Sequence, residues 1–277
     1  MTSRRSFLAG ACCMIPIWPA LAASHPASFI CATSDEDETS LDGTTTETPA
    51  DSQIPRVSGT VTRFPRVGAT LDPQSLWTEL DGATPQSGVI TLAICFLNGT
   101  RAQRDLVRRV APEWTRGPLG KRVSFRFDAP RKGSHVRVLF RGGKGNVSEV
   151  GRKSLSVPES RHTMNLDDID RRGILHEFGH VLGLRHEHQN PGSGIVWNKP
   201  VVIAALKARG WSKAKVEDNI FKRFSKDCAC LGDPTADPKS VMLYPFPREW
   251  TLNGFSSHLN QNISPRDRSC LVREYRA

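Results

Sequence analysis

Three histidines, a glutamate and a glycine stand in register within the run HEFGHVLGLRHE at 176–187. On a helix, His176 and His180 are i and i+4, so both imidazoles leave one face a turn apart. Two neutral imidazoles at that spacing can bind one Zn2+ at the usual Zn–N distance of about 2.0–2.1 Å. Glu177 is rotated by about 100° from His176, which directs it to a water on the metal rather than to the metal. Gly183 accepts the left-handed conformation without steric cost, so the helix can stop there and the chain can bring His186 back as a third ligand. Three histidines leave a fourth position for water, which marks a catalytic rather than a structural site. Core histidines on a buried helix face explain at most one of the three. His188 adds a fourth imidazole, read as support or surface because the three-ligand set is complete without it.

These residues need elements to hold them. Asp167 and Asp168 supply a helix start, and Ile169, Ile174, Leu175, Val181 and Leu182 give that helix an apolar face. Upstream, GVITLAICFL (88–97) is a continuous β-branched run that predicts a central strand. After a turn at 98–100, Leu106, Val107, Val110 and Trp114 recur at helical spacing over 101–114. Residues 122–128 and 134–140 alternate as half-buried strands, and 146–157 predicts an edge strand able to pair with an extended substrate. Downstream, Pro200 opens a short helix at 201–208, and Ser212 caps a helix at 213–224. Irregular loops dominate 225–262, and Ser264-Pro265 starts a closing helix at 265–275. The order predicts an α+β fold with one helix packed behind a twisted sheet.

HEFGHVLGLRH resembles the metzincin zinc-peptidase signature HExxHxxGxxH. Glu187, and the continuation HEHQNP over 186–191, resemble the astacin-like and matrixin-like bacterial branch. The resemblance implies a methionine turn beneath the zinc, and Ser240-Val241-Met242-Leu243-Tyr244 is similar to the astacin-like pattern SxMxY, 56 residues beyond His186. That branch usually has His where this chain has Leu243. The implied fold is a twisted mixed sheet with a backing helix and an active-site helix, above an irregular C-terminal subdomain. The implied activity is endopeptidase cleavage of proteins or peptides by metal-activated water at one catalytic Zn2+. In it His176, His180 and His186 are ligands, Glu177 is general base and acid, Met242 is an apolar floor, and Tyr244 stabilises the oxyanion. Loops around 245–257 would shape specificity. In astacins the glutamate after the third histidine often anchors the mature N-terminus, a role open to Glu187. Cys31 or a linker acid is a candidate zinc ligand in a latent form.

The remainder bounds the setting. A chain of 277 residues, 38% hydrophobic and 24% charged, is neither mostly disordered nor a coiled coil. Residues 1–23 carry Arg4-Arg5, an interrupted apolar run and Ala20-Leu21-Ala22, which predicts an export signal of the twin-arginine type. Export would place the protein in the periplasm or outside the cell. Residues 24–60 read as an acidic, Thr-rich linker or propeptide, and 61–277 as the catalytic domain with its core at 86–277. Setting aside the two arginines and seven acids of 1–55 leaves 36 basic and 21 acidic residues, a body of about +15. Its basic residues are scattered through 101–153 and 199–226 rather than forming a nucleic-acid module, so no nucleic-acid partner is expected. The alternative function is a silent or latent zinc scaffold that binds acidic proteins or envelope surfaces. Stable membrane insertion after signal removal is not expected. Beyond the signal, Cys31, Cys95, Cys228, Cys230 and Cys270 remain, and either Cys228 or Cys230 can pair with Cys270 in an oxidising compartment. A second metal at Cys228-x-Cys230 is the weaker reading.

Overall fold

A computed structural model of the chain describes residues 32–33, 69–82, 88–167, 169–228, 230 and 236–276. The export signal, Cys31 and almost all of the acidic stretch lie outside the described residues. Among these residues no helix is long and apolar enough to cross a membrane.

The apolar run at 88–97 becomes the central strand β2 (Ile90–Phe96), with five of its seven residues buried. Both its neighbours, β3 (Val123–Arg126) and β4 (Val136–Leu139), run parallel to it. Helix α2 (Arg101–Val110) makes the crossover from β2 to β3, held at its start by a capping box in which Thr100 and Gln103 bond each other's backbone amides. A 3₁₀ turn at Ala111–Glu113 follows and buries Trp114 completely. The full sheet adds β1 (Ala32–Thr33), β5 (Val147–Ser148) and β6 (Met164–Asn165), and its order is β1-β5-β6-β4-β2-β3. The α+β architecture thus matches the sequence reading.

The expected edge strand at 146–157 is corrected. Only Val147 and Ser148 are extended, and Gly151–Ser156 is a 3₁₀ turn. Gly151 has φ of +53°, and a Cβ there would overlap the Ser75 carbonyl, so the chain bends where a strand would have continued. Nor is β5 an edge. It pairs with β6 on one side and, on the other, runs parallel to β1, two residues within the stretch read as a linker or propeptide.

Residues 69–82, which gave no sequence signal, pack beneath the site. A 3₁₀ turn at Pro73–Ser75 and the short helix α1 (Glu79–Gly82) flank Trp77, which is buried. The helix bearing the histidines is α3 (Arg171–Val181). Beyond it come α4 (Lys199–Lys207), α5 (Lys213–Val216) and α6 (Pro265–Glu274). The helix expected over 213–224 changes to a π turn at Glu217–Phe221 and stops there. Phe224 leaves the helical face; its amide donates to Gln189 O at 3.0 Å and its ring lies under the Arg185 guanidinium.

Two apolar clusters result. One joins the sheet, α2, α3 and α6; the other joins α4, α5, the π turn and the aromatic loop Leu243–Trp250. The disulfide Cys230–Cys270 ties the long loop to α6, resolving the two pairings the sequence left open. Cys95 is buried and Cys228 is not in a disulfide.

Candidate metal centre

Helix α3 starts later than Asp167-Asp168 suggests. Asp170 is its N-cap, accepting from the Gly173 amide at 2.5 Å. Asp167 instead accepts from the Gly143 and Gly145 amides and stabilises the glycine-rich turn after β4. At the other end Gly183 adopts φ of +95°, and the backbone reverses to pair Leu184 with Leu71. The last carbonyls of α3 are not left bare: Trp77 Nε1 donates to Val181 O at 2.7 Å and Tyr275 Oη to Leu182 O at 3.2 Å.

That reversal returns His186 to the helix face carrying His176 and His180. All three are buried, and one ligand nitrogen from each lies within 4.8 Å of the other two. His176 Nδ1 donates to Val241 O at 2.8 Å and His180 Nδ1 to Leu184 O at 2.7 Å. Those bonds place the proton on Nδ1 and leave the Nε2 lone pairs turned inward. His180 Nε2 and His186 Nε2 stand 3.1 Å apart. Adjacent ligands on a tetrahedral zinc are separated by about 3.3 Å, so the donor set fits this ion. Burial also holds His176 and His186 well below the ordinary imidazole range, in the neutral form a metal requires. Glu177 follows His176 on the helix and is itself buried.

Met242 lies beneath this group. A turn closed by Leu243 N to Ser240 O at 3.1 Å presents it to α3, and Glu187 N donates to Met242 O. Gly179 makes this approach possible. A Cβ there would overlap Met242 Sδ and sit 3.1 Å from Trp114 Cζ2. Gly179→Ala is therefore expected to cost about 1–3 kcal/mol despite alanine's better helix propensity, read as a lowered urea midpoint at unchanged slope. An unchanged midpoint would show that the floor yields.

Tyr244 is fully buried, and its hydroxyl oxygen lies 2.7 Å from His186 Nε2. His188, whose position the sequence left between support and surface, is buried. Its Nε2 donates to Asn219 O at 2.8 Å, and its ring packs on Tyr244 with centroids 4.7 Å apart. Leu243, where the related pattern usually has histidine, is buried in the aromatic cluster.

Glu187 is completely buried, and its carboxylate gathers four donors. Oε2 accepts from Thr70 N at 2.9 Å and Thr70 Oγ1 at 3.1 Å; Oε1 accepts from Asp237 N at 2.9 Å and Asn190 Nδ2 at 3.3 Å. Burial nonetheless pushes the carboxyl up to about 8. Asp267 is likewise pushed by burial up to about 6, and burial drives His188 down to about 3. The signs oppose each other. Raised carboxyls lose stability as pH climbs from their unfolded values near 4 through 6 and then 8. Depressed imidazoles lose it as pH falls from about 6.5. The metal-free protein is expected to be most stable at about pH 6–7, in a series of urea midpoints against pH. A midpoint rising steadily to pH 9 would contradict the raised Glu187.

No protein-family model and no curated protein matches the chain. Solved structures do. A structure of myroilysin is 30% identical, with a TM-score of 0.64, and the match covers 75% of this chain and 98% of that one. A second, a crystal structure of myroilysin, is 29% identical with a TM-score of 0.51, covering 73% and 86%. The chain belongs to the astacin family of zinc metalloproteases. High choriolytic enzyme 1, a hatching enzyme zinc-protease from the medaka fish Oryzias latipes, shares the fold. It is 16% identical, with a TM-score of 0.50 and coverage of 72% and 96%. As an astacin-family protein the chain is a peptide-bond hydrolase that uses a catalytic zinc and acts on proteins or peptides. Sequence reasoning did not reach three residues that shape this centre: Thr70, Asp237 and Asp267. Only Asp267 left a local trace, as the third helical residue after the Ser264 cap.

Proposed function

We propose that this astacin-family protein is an exported endopeptidase in which His176, His180 and His186 hold the zinc. The observation that carries the reading is the convergence of three buried imidazoles whose ligand atoms lie within 4.8 Å, with buried Glu177 on the same helix. Zinc, when bound, supplies Lewis acidity that acidifies water and polarises the scissile carbonyl. The Glu177 carboxylate takes the proton from the attacking water and returns it to the leaving amine nitrogen. The Tyr244 hydroxyl, held beside His186, turns to donate to the oxygen on which negative charge develops, an effect worth about 3–4 kcal/mol for a single donor. Met242 supports the ligands from below, and Gly183 sets the turn that delivers His186. The catalytic domain spans 61–277, following a twin-arginine export signal at 1–23 and an acidic segment at 24–60. Delivery to the periplasm or beyond follows from that signal.

The test is cleavage of an unfolded, labelled protein by the full chain after signal removal. Cleavage should vanish on chelation and return with about one equivalent of Zn2+. A folded chain that holds zinc but cuts no unfolded protein would favour the silent-scaffold reading. A folded chain that takes up no zinc would defeat the ligand assignment.

A further inference from the structure

Asp267 lies in the first turn of α6, far along the chain from the histidines, and is completely buried with no cation against it among its hydrogen-bond partners. Its Oδ1 accepts from the Ser240 hydroxyl at 2.6 Å. Its Oδ2 accepts from Val241 N at 3.1 Å and Ser264 N at 3.0 Å. The Ser240 oxygen in turn accepts from Met242 N at 3.0 Å. Met242 N belongs to the same peptide plane as Val241 O, the atom that accepts from His176 Nδ1 at 2.8 Å. One line of hydrogen bonds therefore runs from carboxylate to hydroxyl to peptide to imidazole. Each donor points toward the carboxylate, so each bond polarises the next in the same sense.

A histidine ligand is usually oriented by a carboxylate or carbonyl on its second nitrogen, and losing that partner weakens metal binding. Here the carbonyl is anchored on the far side of its own peptide, and Val241 is gripped on its amide as well. We infer that Asp267, acting through Ser240 and the Val241–Met242 peptide, is a positioning residue that sets the orientation and basicity of His176 toward zinc. The inference rests on the assignment of His176 as a ligand.

The experiment compares the full chain with Ser240→Ala, Ser240→Thr, Asp267→Asn and Ser264→Ala. Two quantities are measured: the zinc dissociation constant by competition with a chromogenic chelator, and the thermal midpoint of the metal-free protein. Ser240→Ala and Asp267→Asn should weaken zinc binding by about 10–100-fold. Ser240→Thr keeps the hydroxyl and should recover the affinity. Ser264→Ala removes the α6 cap without breaking the line to His176, so it should lower the thermal midpoint and leave zinc affinity alone. Should Asp267→Asn not fold, Ser240→Ala decides, because it leaves the Val241 and Ser264 amides bonded to Asp267. Folded Ser240→Ala with wild-type zinc affinity would overturn the inference while leaving the ligand assignment standing. A wild-type chain without zinc would overturn both.

Discussion

Glu177→Ala is expected to keep about one zinc per chain and to cut protein cleavage by about 10²–10⁴-fold, the range lost with a positioned general base. The two readouts separate because Glu177 is not among the three residues whose nitrogens converge. It is buried on the same helix, one residue after His176, so its removal opens a small cavity without undoing the turn that returns His186. Parallel loss of zinc and cleavage would mean that the glutamate holds the site together. Cleavage within tenfold of wild type would mean another group moves the proton. A kcat that falls while KM stays put is the expected pattern for a group acting only in the transition state.

The largest stability effect is expected at Glu187. Its replacement by alanine strips the acceptor from two buried backbone amides, Thr70 N and Asp237 N, and from the Thr70 hydroxyl. Each orphaned donor costs about 1–3 kcal/mol, and the side chain adds a link to Asp237 beyond the backbone bonds that already join residues 70–72 to 183–185. A loss of roughly 3–5 kcal/mol follows, or about 6–20 °C in the thermal midpoint of a domain this size. Glu187→Gln should be milder yet still destabilising, because its amide nitrogen must face one of those donors. A change below about 1 kcal/mol for alanine would show that these bonds do not persist in solution. The same network gives Glu187 a function independent of any new chain end: it fastens residues 69–71 under the returning loop that carries His186.

Local chemistry made the metal site legible. An i, i+4 histidine pair, a glutamate one place on and a glycine at the helix stop each act within a few residues, so their geometry follows from the backbone alone. The continuous β-branched run at 88–97 declared a central strand for the same reason, and the Ser264-Pro265 pair declared its helix. The family resemblance then linked Met242 and Tyr244 to that site across 56 residues. The sequence by itself therefore determined the α+β class and named the candidate ligands, the candidate base and the candidate floor.

Tertiary structure alone decided how these parts are held. Whether 146–157 continued as a strand depended on Gly151 meeting the Ser75 carbonyl, and the helix at 213–224 gave way where Phe224 was drawn to Gln189 and Arg185. The choice of Cys230 over Cys228 came from which sulfur the packing of α6 brought within bonding reach. Glu187, Asp237 and Asp267 carry no periodicity that marks them as buried; charged residues read as surface until a fold surrounds them with donors. Two of those donors, Thr70 N to Glu187 and Val241 N to Asp267, come from backbone 117 and 26 residues away. Hydrogen-bond partners of that separation are fixed by the closed chain and not by any local preference, which is why these contacts became visible only in three dimensions.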